Sequence, residues 1–168
     1  STTQQTSETP STTQQTSEQH TSTEFSIPTN TKFMIKNEAS GTCIDFDGSS
    51  IEQMNIRGWK CDENKQSIFW TYSPEIKNII NSQSGFCLRL GSATNGTRIT
   101  SSPCVDSDTQ KWSYDEDLMT LNSEKFSNVV IDMAGGNSSN GNKIQGWSKI
   151  TNGSQNQRNQ RWFFEVVK

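Results

Sequence analysis

The sequence predicts an all-β domain built from three repeats and preceded by a disordered tail. Three observations support this expectation. The first thirty residues have the composition of an unfolded segment, and one pattern recurs three times after residue 31. No window of ten or more residues has a helical hydrophobic period.

The tail is recognised by its composition. Residues 1–8 and 11–18 both read STTQQTSE, and no Val, Ile, Leu, Met, Phe or Trp occurs before residue 25. Such a segment cannot bury enough apolar surface to offset the entropy lost on ordering. We therefore expect residues 1–30 to form a disordered linker, which is either a plain spacer or an acceptor of O-glycans, and residues 31–168 to fold.

The remainder of the chain repeats one pattern at a nearly constant register. Cys43 and Cys87 are 44 residues apart, and Cys87 and Val130 are 43 apart. Each copy closes with a tryptophan, at Trp70, Trp112 and Trp162. The last two tryptophans are 50 residues apart, compared with 42 for the first two, which predicts an insertion that we place at 151–156.

Each repeat consists of short alternating segments separated by Gly, Asn and Ser turns. Residues 32–36, 42–46 and 68–72 have the alternating apolar positions of β-strands. Three repeats of about four strands each predict a threefold β-trefoil, with the closing tryptophans in its core.

Four cysteines allow three pairings. Cys43 and Cys61 are 18 residues apart and Cys87 and Cys104 are 17 apart, in similar segments, which favours these two local disulfides. No Cys-x-x-Cys is present, so zinc or redox chemistry is not expected. We expect neither a metal nor a cofactor.

Charge and sequence context narrow the partners. The net charge is −3 without a basic cluster, so nucleic acid is not an expected partner. No apolar stretch is long enough to predict membrane insertion.

The chain starts at Ser rather than Met, which indicates processing or a fragment. Disulfides together with Asn-x-Ser/Thr sequons predict a secreted or cell-surface protein, the sequons being Asn95, Asn137 and Asn152.

The closing motifs resemble those of a known family. Gln110-Lys111-Trp112 and Gln160-Arg161-Trp162 resemble the Gln-x-Trp signature of ricin B-type lectins. The Cys-Ile-Asp at Cys43–Asp45, the Cys-Leu-Arg at Cys87–Arg89 and the Trp-x-Cys at Trp59–Cys61 are similar to other elements of that family. The resemblance covers residues 32–168 and implies a sugar-binding β-trefoil.

The resemblance also implies a complete sugar site in the third repeat. A sugar needs a carboxylate and amides for its hydroxyls and an aromatic ring for its C–H face. Asp132 supplies the carboxylate, Gln145 and Trp147 the platform strand, and Asn159 and Gln160 the amides. The alternative is that Asp132 caps a turn and Trp147 is a core residue, but a Gly-flanked polar stretch is a poor place for a core tryptophan.

The other two repeats are less complete. In the first, Asp45 and Trp59 are present, and Asn64 or Gln66 would have to replace the missing closing amides, so a second site there is an open question. In the second repeat, Arg89 and Ser102 replace the acid and the tryptophan, which predicts no site.

The expected function is therefore that of a lectin for glycoproteins or cell-surface glycans of the galactose or N-acetylgalactosamine type. The alternatives are a targeting module of a larger secreted toxin or glycosidase, with a fused or associated catalytic domain, and a protein-binding trefoil. Oligomers are compatible with each. We expect no enzymatic activity, because the only histidine, His20, lies in the tail and no catalytic triad is evident.

Overall fold

Strands make up nearly all the regular structure of the computed structural model, which describes residues 21–48 and 56–167. In this part of the chain the strands are β1 (Thr21–Glu24), β2 (Phe33–Asn37), β3 (Thr42–Phe46), β4 (Ile56–Lys60), β5 (Trp70–Ser73), β6 (Asn78–Asn81), β7 (Phe86–Arg89), β8 (Thr100–Pro103), β9 (Trp112–Asp115), β10 (Thr120–Ser123), β11 (Val129–Met133), β12 (Ile144–Ser148) and β13 (Trp162–Val167). One helical turn, α1 (Gln155–Arg158), and three 3-10 turns, Gln66–Ile68, Asp108–Gln110 and Ala134–Gly136, complete the regular structure of these residues.

Strands β2 to β13 form three sets of four, as the predicted repeats require. Within each set the second and third strands pair as an antiparallel hairpin: β3 with β4, β7 with β8 and β11 with β12. The cross-strand pairs Cys43↔Trp59, Cys87↔Ser102 and Val130↔Trp147 occupy equivalent positions. The β-trefoil and the alignment of its repeats are therefore confirmed.

The closing tryptophans lie in the core and repeat one hydrogen bond. Trp70, Trp112 and Trp162 are fully buried, as predicted. Their indole nitrogens donate to the main-chain oxygens of Ile44, Leu88 and Ile131 at 2.9, 3.1 and 2.9 Å. Each acceptor immediately precedes the position of the predicted site acid, so each tryptophan fixes the strand on which that acid would lie.

The strand limits differ slightly from those expected. Residues 42–46 form β3 as predicted, but the first strand is shifted by one residue to Phe33–Asn37. The predicted strand at 68–72 begins only at Trp70, because residues Gln66–Ile68 form a 3-10 turn. This turn brings Ser67 and Ile68 into the interior before the chain enters the sheet.

The predicted tail is too long at its folded end. Thr21–Glu24 pairs antiparallel with β13, from Thr21↔Val167 to Glu24↔Phe164. This strand has no apolar residue, and main-chain pairing at the edge of β13 holds it instead of burial. The boundary at residue 30 is therefore wrong for these residues, and residues 1–20 lie outside the described part of the chain.

Both predicted disulfides are present, and no free cysteine is found among the described residues. Each joins the second strand of its repeat to the segment that follows the third. In the third repeat, Val130 fills the first of the two cysteine positions as a buried core residue.

The insertion of the third repeat also lies where the spacing places it. Thirteen residues separate β12 from β13, compared with nine between β4 and β5. The additional residues form the loop that leads into α1 and overlap the predicted segment 151–156.

Candidate functional site

A pocket of about 210 Å³ opens on the third repeat, between the β11–β12 hairpin and the insertion. Its lining residues are Asp132, Gly135, Gln145, Trp147, Ile150, Asn156 and Asn159. Four of the five predicted site residues of this repeat therefore lie together in one cavity.

Asp132 is the only acid among the residues that line this pocket, and two amides orient it. Gln145 lies directly opposite on β12 and donates from Nε2 to Asp132 Oδ1 at 3.0 Å, while Gln160 Nε2 donates to Oδ2 at 3.1 Å. Asp132 is only 4% exposed, and burial raises the pKa of its carboxyl, while the two amide hydrogen bonds act in the opposite direction. A carboxylate oxygen can accept more than one hydrogen bond, so acceptor capacity remains for a ligand.

Gln160 is a positioning residue. It is fully buried and does not line the pocket. Besides Asp132, its Nε2 donates to the main-chain oxygen of Ser148 at 3.0 Å, and its Oε1 accepts from the Ile150 N–H at 2.8 Å. Gln160 thus holds the acid and the start of the insertion loop together, and its burial argues against the expected direct contact with a sugar.

The second repeat shows the same arrangement without the acid. Gln110 Oε1 accepts from the Val105 N–H at 2.9 Å, and Nε2 donates to the Pro103 oxygen and to the Ser102 hydroxyl at 3.0 and 2.6 Å. Arg89 pairs with Thr100 at the position where Asp132 pairs with Gln145. The glutamine of Gln-x-Trp therefore has a structural role even where no acid or platform is present.

Asn159 and Trp147 provide the side-chain amide and the aromatic ring that face the pocket. Asn159 is 8% exposed, and within the described part of the chain its side-chain amide makes no hydrogen bond with the protein. Gly136 makes room for it, since a Cβ at that left-handed position (φ 62°) would lie 2.5 Å from Asn159 Oδ1. Trp147 is partly exposed and offers its ring to the cavity.

A loop of the second repeat supports the platform, which the sequence did not reveal. The Gly96 N–H donates to the Gly146 oxygen at 3.0 Å, and the Gly146 N–H donates to the Thr97 oxygen at 2.8 Å. A Cβ at Gly96 would lie 3.9 Å from the Trp147 ring. The loop at Gly96 therefore supports the platform from a neighbouring repeat, and a repeat-by-repeat alignment contains no signal for it.

The first repeat brings Asp45 and Trp59 together, but two cationic side chains contact both of them. Asp45 is fully buried and accepts from Ser67 Oγ at 2.7 Å, from Arg57 Nε at 3.0 Å and from Lys65 Nζ at 3.2 Å. The Arg57 guanidinium lies over the Trp59 ring, 4.0 Å from its centroid, and Lys65 Nζ lies 5.2 Å from the same centroid. The acid is thus already paired and the ring already covered by cations.

Asn64, one of the two residues that would have to replace the missing amides of this repeat, is exposed. Its N–H donates to Asp62 Oδ1 at 2.9 Å, and no contact joins it to Asp45 or Trp59 in the described structure. The structure therefore does not bring Asn64 together with Asp45 and Trp59.

No group of three or more His, Cys, Asp or Glu side chains among the described residues could hold a metal ion. No helix among them is long and apolar enough to cross a membrane.

Comparison with protein families identifies the fold. The model of the ricin-type β-trefoil lectin domain matches residues 31–165. The chain belongs to this lectin family. No curated protein sequence matches this ricin-type lectin.

Solved structures of the same fold are similar at low sequence identity. The C-terminal half of the earthworm R-type lectin in complex with GalNAc is 18% identical, with a TM-score of 0.63, over 82% of this chain and 99% of the other. The Macrolepiota procera ricin B-like lectin in complex with lactose is 20% identical, with a TM-score of 0.64, over 84% and 97%. A mosquitocidal holotoxin is 17% identical, with a TM-score of 0.68, over 84% of this chain and only 18% of the toxin.

Proposed function

We propose that this ricin-type lectin binds glycans through the third-repeat pocket and recognises a terminal galactose or N-acetylgalactosamine. The observation that carries the proposal is the Asp132 carboxylate, ordered by two amides, beside an uncovered Trp147. In the first repeat the corresponding acid and ring are occupied by cations.

The chemistry of the pocket matches that of a neutral sugar. Asp132 accepts hydrogen bonds from two neighbouring hydroxyls, and the unpaired amide of Asn159 donates to or accepts from a third. The Trp147 ring packs against the C–H face of the sugar. The earthworm lectin complex with GalNAc and the Macrolepiota procera lectin complex with lactose support the choice of the galactose type.

The matched repeats provide the test. Asp132→Ala and Trp147→Ala should each weaken galactose binding by about tenfold or more, equivalent to about 1.4 kcal/mol, because each removes one of the two contact faces. Arg89→Ala and Ser102→Ala are the controls, since they lie at the corresponding positions of the second repeat, and should leave affinity unchanged. Isothermal titration calorimetry measures all four variants, and full affinity in Asp132→Ala would disprove the assignment.

A second candidate function is that of a targeting module. The mosquitocidal holotoxin contains a related trefoil as a small part of a much longer chain, so a fused or associated catalytic domain is compatible with this fold. Both functions use the same pocket, and the two disulfides favour a secreted or cell-surface location for either. A protein-binding trefoil would instead give no signal on a glycan array.

A further inference from the structure

All three Asn-x-Ser/Thr sequons of the sequence lie around the third-repeat pocket. They are Asn95-Gly96-Thr97, Asn137-Ser138-Ser139 and Asn152-Gly153-Ser154. Each asparagine is exposed, and each lies beside a segment that contributes a residue to the pocket. The sequence does not show this grouping, because Asn95 is in the second repeat and reaches the pocket only through tertiary pairing.

Asn95 lies on the side of the aromatic platform. Its Oδ1 accepts from the N–H and the hydroxyl of Ser148 at 2.8 and 3.1 Å, and Ser148 directly follows Trp147. The next residue, Gly96, packs against the Trp147 ring. A group attached to Asn95 would therefore begin one residue from the platform.

The other two asparagines lie in segments that contribute residues to the pocket. Asn137 follows the Ala134–Gly136 turn, whose Gly135 lines the pocket. Asn152 lies in the insertion between Ile150 and Asn156, which both line the pocket.

The side chains of all three present the nitrogen that N-glycosylation modifies. The Oδ1 atoms of Asn137 and Asn152 accept from the N–H of Ser139 and Ser154 at 2.8 and 3.0 Å, as Oδ1 of Asn95 does from Ser148. Among the described residues none of the three Nδ2 atoms is hydrogen-bonded to the protein. A glycan attached to Nδ2 would therefore leave the hydrogen bonds accepted by the three Oδ1 atoms intact.

We propose that N-linked glycans on Asn95, Asn137 and Asn152 surround the third-repeat pocket and restrict it to small or freely protruding terminal sugars. The effect on binding rests on the proposed function, whereas the modification itself does not. N-linked glycans are bulky surface groups, so three around one opening exclude crowded ligands by steric clash.

The modification requires a donor outside this protein. A lipid-diphosphate-linked oligosaccharide supplies the sugar, and an oligosaccharyltransferase of the secretory pathway transfers it. The bond between sugar C1 and the diphosphate oxygen breaks, a bond between C1 and Nδ2 forms, and Nδ2 releases one proton. The lipid diphosphate is the leaving group, and no oxidant or reductant is needed.

The third residue of each sequon allows a test that keeps the asparagines. Thr97→Val, Ser139→Ala and Ser154→Ala together remove all three sequons, while Thr97→Ser, Ser139→Thr and Ser154→Thr together retain them. Both chains are secreted from a eukaryotic host, and intact mass measured before and after peptide N-glycosidase treatment gives the occupancy. Binding is measured to free galactose and to a densely galactosylated polymer.

The retained-sequon chain should carry glycans and bind the polymer at least about fivefold more weakly than the sequon-free chain, with equal affinity for free galactose. Absence of glycan from the secreted retained-sequon chain would overturn the proposal, as would equal binding of the polymer by both chains. If the sequon-free chain binds neither ligand, the proposed function and the restriction both fail. If both chains bind free galactose and the glycans do not change binding of the polymer, the proposed restriction by glycans is refuted and the proposed function is not.

Discussion

At the scale of single residues, the partner across the hairpin decides whether a site acid is available. Asp45 and Asp132 occupy equivalent positions, but Asp45 pairs with Arg57 and Asp132 pairs with Gln145. The arginine neutralises its acid and covers the neighbouring ring, whereas the glutamine orients its acid and leaves the ring open. One residue of the strand thus separates an ion-paired repeat from a repeat with a pocket.

Part of this difference between the first and third repeats could be predicted from the sequence. The acids and platforms could be predicted from the resemblance to ricin B-type lectins, and Arg57 at the position of Gln145 is visible once the repeats are aligned. Its effect could not be predicted, because it depends on whether the guanidinium turns toward solvent or folds onto Trp59. Lys65 adds a second cation from a loop whose path depends on the 3-10 turn at Gln66–Ile68.

Galactose binding should depend on pH through Asp132. Burial raises the pKa of this carboxyl, although the Gln145 and Gln160 hydrogen bonds act against the increase. The ionised carboxylate accepts stronger hydrogen bonds from sugar hydroxyls than the protonated acid does, so affinity should be full above the raised pKa and decline as pH falls through it. The folded chain holds this proton more tightly than the unfolded chain. The contribution of Asp132 to stability is therefore present below the unfolded pKa and lost as pH rises through the folded pKa.

The measurement is a galactose titration at a series of pH values, with thermal melting at each to confirm folding. Asp132→Asn should remove the dependence together with most of the affinity. Constant wild-type affinity down to about pH 4, where an ordinary aspartate titrates, would contradict this account.

At the scale of elements, main-chain pairing creates a strand where composition predicts none. Thr21–Glu24 contains no apolar residue, and so sequence periodicity contains no signal for it. Its partner β13 already pairs with β2 on the other side, and β1 covers the remaining edge. Pairing of this kind depends on the position of the edge in the folded domain, which local sequence does not encode.

Truncation tests the new boundary. Deletion of residues 1–20 should leave the melting temperature unchanged, whereas deletion of 1–24 removes β1 and should lower stability by about 1–2 kcal/mol. For a domain of this size such a loss corresponds to a shift of roughly 2–8 °C. Differential scanning calorimetry compares the two chains, and identical melting would show that β1 contributes nothing.

Reduction of the disulfides should affect stability and binding differently. Cys43–Cys61 and Cys87–Cys104 close loops of 18 and 17 residues, and each is expected to contribute about 3 kcal/mol by restricting the unfolded chain. Reduction should therefore lower the melting temperature. The pocket contains neither bridge, so galactose affinity at a temperature where the reduced chain remains folded should be unchanged.

The double variants Cys43→Ser/Cys61→Ser and Cys87→Ser/Cys104→Ser separate the two bridges. Loss of galactose binding in a variant that is still folded would show that the third repeat depends on the bridges of the others.

At the scale of the whole molecule, the three repeats share a core and differ in the side chains at their site positions. The closing tryptophan and its hydrogen bond occur in all three, so the fold could be predicted from the spacing of a few residues. The pocket could not be predicted in the same way, because the Gly96 loop supports its platform from another repeat and the connection between β12 and β13 supplies Ile150 and Asn156. The sequence predicts the parts of a site within one repeat and misses those that tertiary structure brings from another.

One shallow site should bind a monosaccharide with about −4 to −6 kcal/mol, which corresponds to dissociation constants between about 1 mM and a few tens of micromolar. Useful adhesion would then require several copies of the chain or a multivalent glycan surface.

The tryptophan indole N–H signals test the central claim most directly. The chain has five tryptophans, of which three donate their indole N–H within the core and Trp59 lies beneath Arg57. Galactose titrated into ¹⁵N-labelled protein should therefore shift the indole signal of Trp147 alone, and Trp147→Ala should identify that signal and abolish the response. A saturable shift of Trp59 instead of Trp147, or no shift at about 50 mM galactose, a concentration well above the expected dissociation constant, would contradict the assignment of the site to the third repeat.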